Sequence, residues 1–196
     1  MGLISNGTTI FDNGAVSSSL TGGLVLVSSA TASSSASIEF TLGSYNIYKF
    51  FYINVHPGTE SKFQFNLSTD SGSNYNVTKT TTSWRTFFNE AGNDTGLSYA
   101  DNDLSQGTGP QVLSASNSVG ADNDQACCGH LTIYNAASTT FSKHFQAETQ
   151  FSHLSDYAVR DFVAGYANTT SALTNIQFTF ASGNIDAGKI LMFGIN

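Results

Sequence analysis

The residues that could do chemistry in this chain are few and scattered. Four histidines, His56, His130, His144 and His153, are spread over about a hundred positions. No H-E-x-x-H, G-x-S-x-G, Walker A or G-x-G-x-x-G motif accompanies them. His144 lies in Phe141-Ser-Lys-His-Phe145, where the reading is a hydrogen-bonded structural histidine on a strand. Cleaving a glycan would require two carboxylates about 5–10 Å apart across a groove. The strand-borne acids Glu39, Glu148, Asp156 and Asp161 offer no spacing that singles out a pair. No catalytic residue, cofactor site or metal site is assigned, and the chain reads as a non-enzyme.

Asp101-Asn-Asp103 and Asp122-Asn-Asp124 resemble fragments of calcium loops. Calcium takes about 6–8 oxygen ligands, and the further acids, glycine and glutamate of a complete loop are missing, so a solvated acidic loop is expected. Cys127 and Cys128 are adjacent, whereas structural zinc sites space their cysteines by about two to four residues. Neighbours on a strand point to opposite faces, which favours two reduced or interface thiols.

A chain of 196 residues makes one ordinary domain to carry these groups. Charged residues are 11%, aromatics 12%, and Ser plus Thr about a quarter, an all-β composition with a hydroxyl-rich surface. The formal charge of −7, with only seven cations, leaves no basic stripe for nucleic acid. No apolar run is long enough to span a bilayer. Met1-Gly-Leu-Ile-Ser-Asn6 has neither a basic nor an apolar leader region, so no signal peptide is expected.

Residues 1–22 read as an extended arm, with one apolar cluster at Ile10-Phe11. Residues 23–196 read as a single antiparallel β-sandwich of jelly-roll type with about eight to ten strands. Period-2 alternation marks strands at Ile38/Phe40/Leu42, Phe63/Phe65/Leu67, Trp84/Thr86/Phe88, Leu131/Ile133, Phe162/Ala164/Tyr166 and Ile176/Phe178/Phe180. Residues 47–55 are apolar on both faces, so that strand is either central or covered by a partner subunit. The candidate interface residues are accordingly Ile10, Phe11, Tyr48, Phe50 and Tyr52. Residues 89–129, rich in Asn, Asp, Gly and Ser, read as a long loop region. Its Tyr99, Asp101 and Asp103, with Asp122 and Asp124, are the candidate contact residues of this loop surface. The many tyrosines and Trp84 serve as core filling, or as subunit interfaces and stacking platforms for sugars.

The segments Phe63–Trp84, Leu131–Phe145 and Phe162–Ile195 resemble small structural proteins of tailed bacteriophages, many infecting cyanobacteria and other aquatic bacteria. The opening Leu3–Asp12 is similar to that family's usual start, and Ser182-Gly-Asn-Ile-Asp-Ala-Gly188 is its most specific mark. The resemblance thins across residues 100–125 and carries no active site. It implies a β-sandwich in a symmetric particle, made in the host cytoplasm and incorporated in the virion. There it would be a tail-associated, fibre-type module touching the host surface, or a capsid decoration protein. A glycan-binding or glycan-degrading tail protein is the lesser reading. The expected partners are copies of itself, as a trimer, other virion proteins, and a host-surface glycan or receptor, without nucleic acid or membrane insertion.

Overall fold

The computed structural model describes residues 3–5, 8–12, 15–16, 23–100, 102–114 and 118–196, the first three segments by their backbone apart from an exposed Ile4. All regular structure among them is strand. In chain order the strands are β1 (Leu3–Ser5), β2 (Thr8–Asp12), β3 (Ala15–Val16), β4 (Val25–Thr31) and β5 (Ile38–Thr41). Next come β6 (Ile47–Pro57), β7 (Phe63–Ser68), β8 (Lys79–Asn89), β9 (Thr95–Tyr99) and β10 (Gln111–Val112). The last five are β11 (Cys127–Tyr134), β12 (Lys143–His153), β13 (Tyr157–Ala167), β14 (Asn175–Phe180) and β15 (Ile185–Ile195).

Two antiparallel sheets make the body. The broad sheet has the order β4-β15-β6-β11-β12-β13-β8-β9, and the narrow one β10-β7-β14-β5. The alternating segments supply both inner faces, because a strand's side chains point up and down in turn. Ile38 and Phe40, Phe63, Phe65 and Leu67, and Ile176, Phe178 and Phe180 are all buried on the narrow sheet. They meet Tyr48, Phe50, Tyr52 and Phe145 of the broad sheet. The rings of Phe40 and Phe50 lie 5.7 Å apart, those of Phe63 and Tyr52 5.2 Å, and those of Phe65 and Phe145 5.2 Å. Offset and edge-on aromatic pairs of this kind dominate the core energetics.

Strand β6 is central, between β15 and β11. Tyr48, Phe50 and Tyr52 are nevertheless wrong as interface residues: they are 0–1% exposed, because the narrow sheet covers their face. The other parity, Ile47, Lys49, Phe51 and Ile53, faces out and is half-buried or exposed.

Residues 89–129 are likewise more than a loop. They hold β9 and β10, and Leu113 and Val119 are fully buried. Within this stretch residues 102–111 cover polar side chains of β8: Thr81 Oγ1 bonds Gln111 Oε1 at 2.7 Å, and Ser83 Oγ bonds Asp103 Oδ1 at 2.8 Å. The stretch reads as open loop in the sequence because polar groups, rather than an apolar stripe, fasten it down.

In the expected N-terminal arm, β1, β2 and β3 pair with one another as a small meander. Ile10 and Phe11 belong to β2, and their side chains lie outside the described residues.

The Ser182–Gly188 run works as a latch. Gly188 has φ +113°, and a Cβ there would fall 2.5 Å from Asn54 O and 2.6 Å from Val55 Cα. Only glycine lets β15 approach β6 so closely. The carbonyls of Ile185, Asp186 and Gly188 accept from the backbone N–H groups of Ser35, Ser34 and Ala32. These bonds tie the start of the last strand to the β4–β5 connection.

Candidate interaction surfaces

Buried polar groups in the body are structural. Lys79 and Lys143 flank Ala167 in one register row on the inner face of the broad sheet, and both are fully buried. Lys79 Nζ donates to Asn66 Oδ1 at 2.5 Å and to Val77 O at 2.8 Å; Lys143 Nζ donates to Thr169 O at 3.0 Å. Burial disfavours the charged ammonium, so the Lys79 pKa falls to about 8 and that of Lys143 also falls. Asp161 is buried on the same face opposite Arg85, an opposite-charge register pair. Tyr52 OH bonds Thr149 Oγ1 at 2.6 Å, and burial raises its pKa well above the ordinary value.

The two thiols do point to opposite sides. Cys127 is buried in the core, where desolvation raises its pKa, and Cys128 is half-buried with Sγ 3.1 Å from Asn54 N. Both are free thiols.

The outer face of the broad sheet carries a transverse row. Register places Leu191, Phe51, His130, Glu148, Phe162, Trp84 and Tyr99 side by side across seven strands. Trp84 and Phe162 stack with centroids 4.0 Å apart and planes 12° from parallel. The Arg160 guanidinium lies 5.1 Å from the Phe162 centroid and is ion-paired with Glu148. His130 packs against Phe51; burial first, and then the Lys49 charge, lower its pKa. This face inverts the usual pattern. On β8 the polar Lys79, Thr81 and Ser83 point inward, while Trp84 and Phe88 are exposed. Phe162, Ala164 and Tyr166 of β13 also face out. His144 is exposed beside Tyr166 on this face, with ring centroids 6.0 Å apart, rather than held as a hydrogen-bonded structural residue.

The candidate host-contact residues do not form one site. Tyr99 is exposed beside Trp84, and its hydroxyl donates to Asp103, which is thereby engaged in holding residues 102–111. Asp101 lies outside the described residues. Asp122 and Asp124 line a separate cleft of about 430 Å³ with Glu90, His153, Asp156 and Tyr157. Burial first, and then Arg85, lower the His153 pKa there. No group of three or more His, Cys, Asp or Glu among the described residues is arranged to hold a metal ion.

The strand-borne acids are also dispersed. Glu39 is exposed on the narrow sheet, accepting from Tyr75 OH at 2.9 Å and Gln177 Nε2 at 2.7 Å. Glu148 is on the outer face of the broad sheet, Asp161 on its inner face, and Asp156 in the β12–β13 turn.

Both edges of the broad sheet are apolar. Leu24 and the β4 residues Val25, Leu26 and Val27 are each 40–54% exposed, and among the described strands β4 pairs with β15 alone. At the opposite edge Leu97 and Tyr99 of β9 are 70% and 66% exposed. It is the sheet order that makes Leu24–Val27 an edge. No helix among the described residues is long and apolar enough to cross a membrane. No protein-family model matches the chain, and no curated protein matches it.

Proposed function

We propose that this protein is a non-enzymatic structural component of a tailed-bacteriophage particle, a tail-associated, fibre-type module that associates with its own copies and with other virion proteins. The observation that carries the reading is the β4 edge. A strand that is apolar over Val25–Val27, uncharged and free of proline, with no partner on one side among the described strands, is a template for another chain, and monomers normally blunt such edges with charge, proline or a cover. A subunit seated on Leu24–Val27 removes that liability. The resemblance of the latch run and its flanking strands to phage structural proteins supports the same reading.

The winding adds to it. The broad sheet begins β4-β15-β6-β11, and the narrow sheet runs β5-β14-β7-β10. This is the order made by rolling eight strands as two Greek keys, so we read the fold as a jelly roll. In that reading the β8–β9 and β12–β13 pairs are insertions that widen one sheet. Jelly rolls recur in viral capsid and lectin domains, although fold alone does not assign a role.

Mass spectrometry of purified phage should detect the chain, and immunogold labelling should decorate the tail. Label over the head would replace the tail assignment with capsid decoration. Absence from particles would remove both. Sedimentation at micromolar concentration should give a species near three times the 20.8 kDa chain mass, and Leu26→Asp should reduce it to the monomer. A wild-type chain that stays monomeric alone and on particles would overturn the self-association.

A further inference from the structure

We infer that the outer face of the broad sheet holds a binding trough for a neutral oligosaccharide, running along β12, β13 and β8 from the Trp84–Phe162 stack to Tyr166. Two depressions, of about 270 Å³ and 420 Å³, meet there and share Thr82, Gln146 and Ala164 as their common floor. The pairing registers explain the shape. Phe162 sits between Trp84 and Glu148, Ala164 between Thr82 and Gln146, and Tyr166 between Thr80 and His144. Small residues thus separate two aromatic walls four positions apart on β13, roughly 13 Å at the rise of an extended strand.

The lining chemistry selects the occupant. A pyranose ring offers C–H faces to aromatic rings and hydroxyls around its rim to amides, imidazoles and carboxylates. The trough supplies both: the exposed Trp84 ring on Phe162, and Gln146, His130, His144 and Glu148 beside it. Gln146 Nε2 donates to Tyr134 OH at 2.8 Å, which orients the amide and leaves its oxygen to accept from a ligand. The exposed aliphatic side chains that suit a protein partner, those of Leu24–Val27, Ile53, Leu97 and Leu154, do not line this trough. Bases also stack on aromatic rings, but a phosphate backbone needs cations. The one arginine at this trough is paired with Glu148, and the chain carries a net −7.

Trp84 is the only tryptophan in the chain, so its fluorescence reports on this site alone. The full-length protein should be titrated with cellohexaose, chitohexaose, maltohexaose, laminarihexaose and mannohexaose. At least one should shift the emission saturably. Phe162→Ala and Gln146→Ala should each weaken that response about tenfold, while Leu26→Asp at the sheet edge leaves it unchanged. Retained near-ultraviolet circular dichroism would show that the variants are folded, and Glu148→Gln provides a milder change in the same wall. Silence with all five sugars, or a response indifferent to Phe162→Ala and Gln146→Ala, overturns the assignment. So does conversion of an oligomer to a monomer by Trp84→Ala, which would make the trough a subunit contact. The inference stands apart from the particle assignment: a chain present in virions could fail every titration, and one absent from them could bind sugar.

Discussion

Gly188 shows how much one residue decides. Its φ of +113° is closed to other residue types without strain, and the space a Cβ would need is taken by the Asn54–Val55 backbone. Gly188→Ala should therefore lower stability by about 2–3 kcal/mol, read as a fall in the urea midpoint. Lys79 makes a different kind of prediction. Its pKa is about 8 in the fold against 10.5 for the free side chain, so between those values the unfolded chain holds the extra proton. Lys79 should add up to about 3 kcal/mol of stability as pH increases from 8 towards 10, and Lys143 acts in the same direction, while Cys127, which keeps its proton in the core, opposes the rise above about pH 9. Above pH 10 the trend should reverse, because unfolded tyrosines ionise while buried Tyr52 keeps its proton. Urea titrations across this range test both signs. Lys79→Met should flatten the rise, even though it leaves Asn66 Oδ1 and Val77 O without their donor.

Among the elements, β6 and β8 show where periodicity informs and where it misleads. Both faces of Ile47–Val55 are apolar in the sequence, and no local rule says which one the narrow sheet will cover. In the fold the Tyr48 parity is inside and the Phe51 parity outside. On β8 the hydrophobic rule points the wrong way, since Lys79, Thr81 and Ser83 are inside and satisfied by hydrogen bonds. The segment 102–114 is the counterpart of that inversion. Its Leu113 is fully buried, so Leu113→Ala should destabilise the fold by about 2–5 kcal/mol. In a solvated loop the same change would shift the melting midpoint hardly at all, and thermal denaturation separates the two.

At the scale of the whole molecule, the surface explains how such a protein could work in a crowded assembly. The chain has only seven cations and fourteen acids, and Lys79, Lys143 and Asp161 are buried, so contacts through the apolar edges of a surface rich in hydroxyls and amides depend little on Coulombic attraction. Self-association through β4 should therefore persist in high salt, where exposed charge pairs are screened. Sedimentation in low and high sodium chloride tests this, and dissociation by salt alone would point to a charged contact instead. On the proposed reading the broad sheet would use its edges for protein neighbours and its outer trough for a ligand, separating assembly from recognition on one scaffold.

Composition and period-2 alternation determined by themselves that the chain is all-β, which residues of β5, β7 and β14 face inward, and that the adjacent thiols diverge. These are local consequences of backbone geometry: a pleated strand alternates whatever lies beyond it. Tertiary structure alone decided which face of β6 is covered, which strand ends the sheet, and that Trp84, Phe162, Gln146 and Glu148 share one surface. Gln146, Glu148 and Phe162 belong to the consecutive strands β12 and β13, but Trp84 comes from β8, far upstream in the chain. Their neighbourhood is set by antiparallel register across β12, β13 and β8, and no spacing along the chain encodes it.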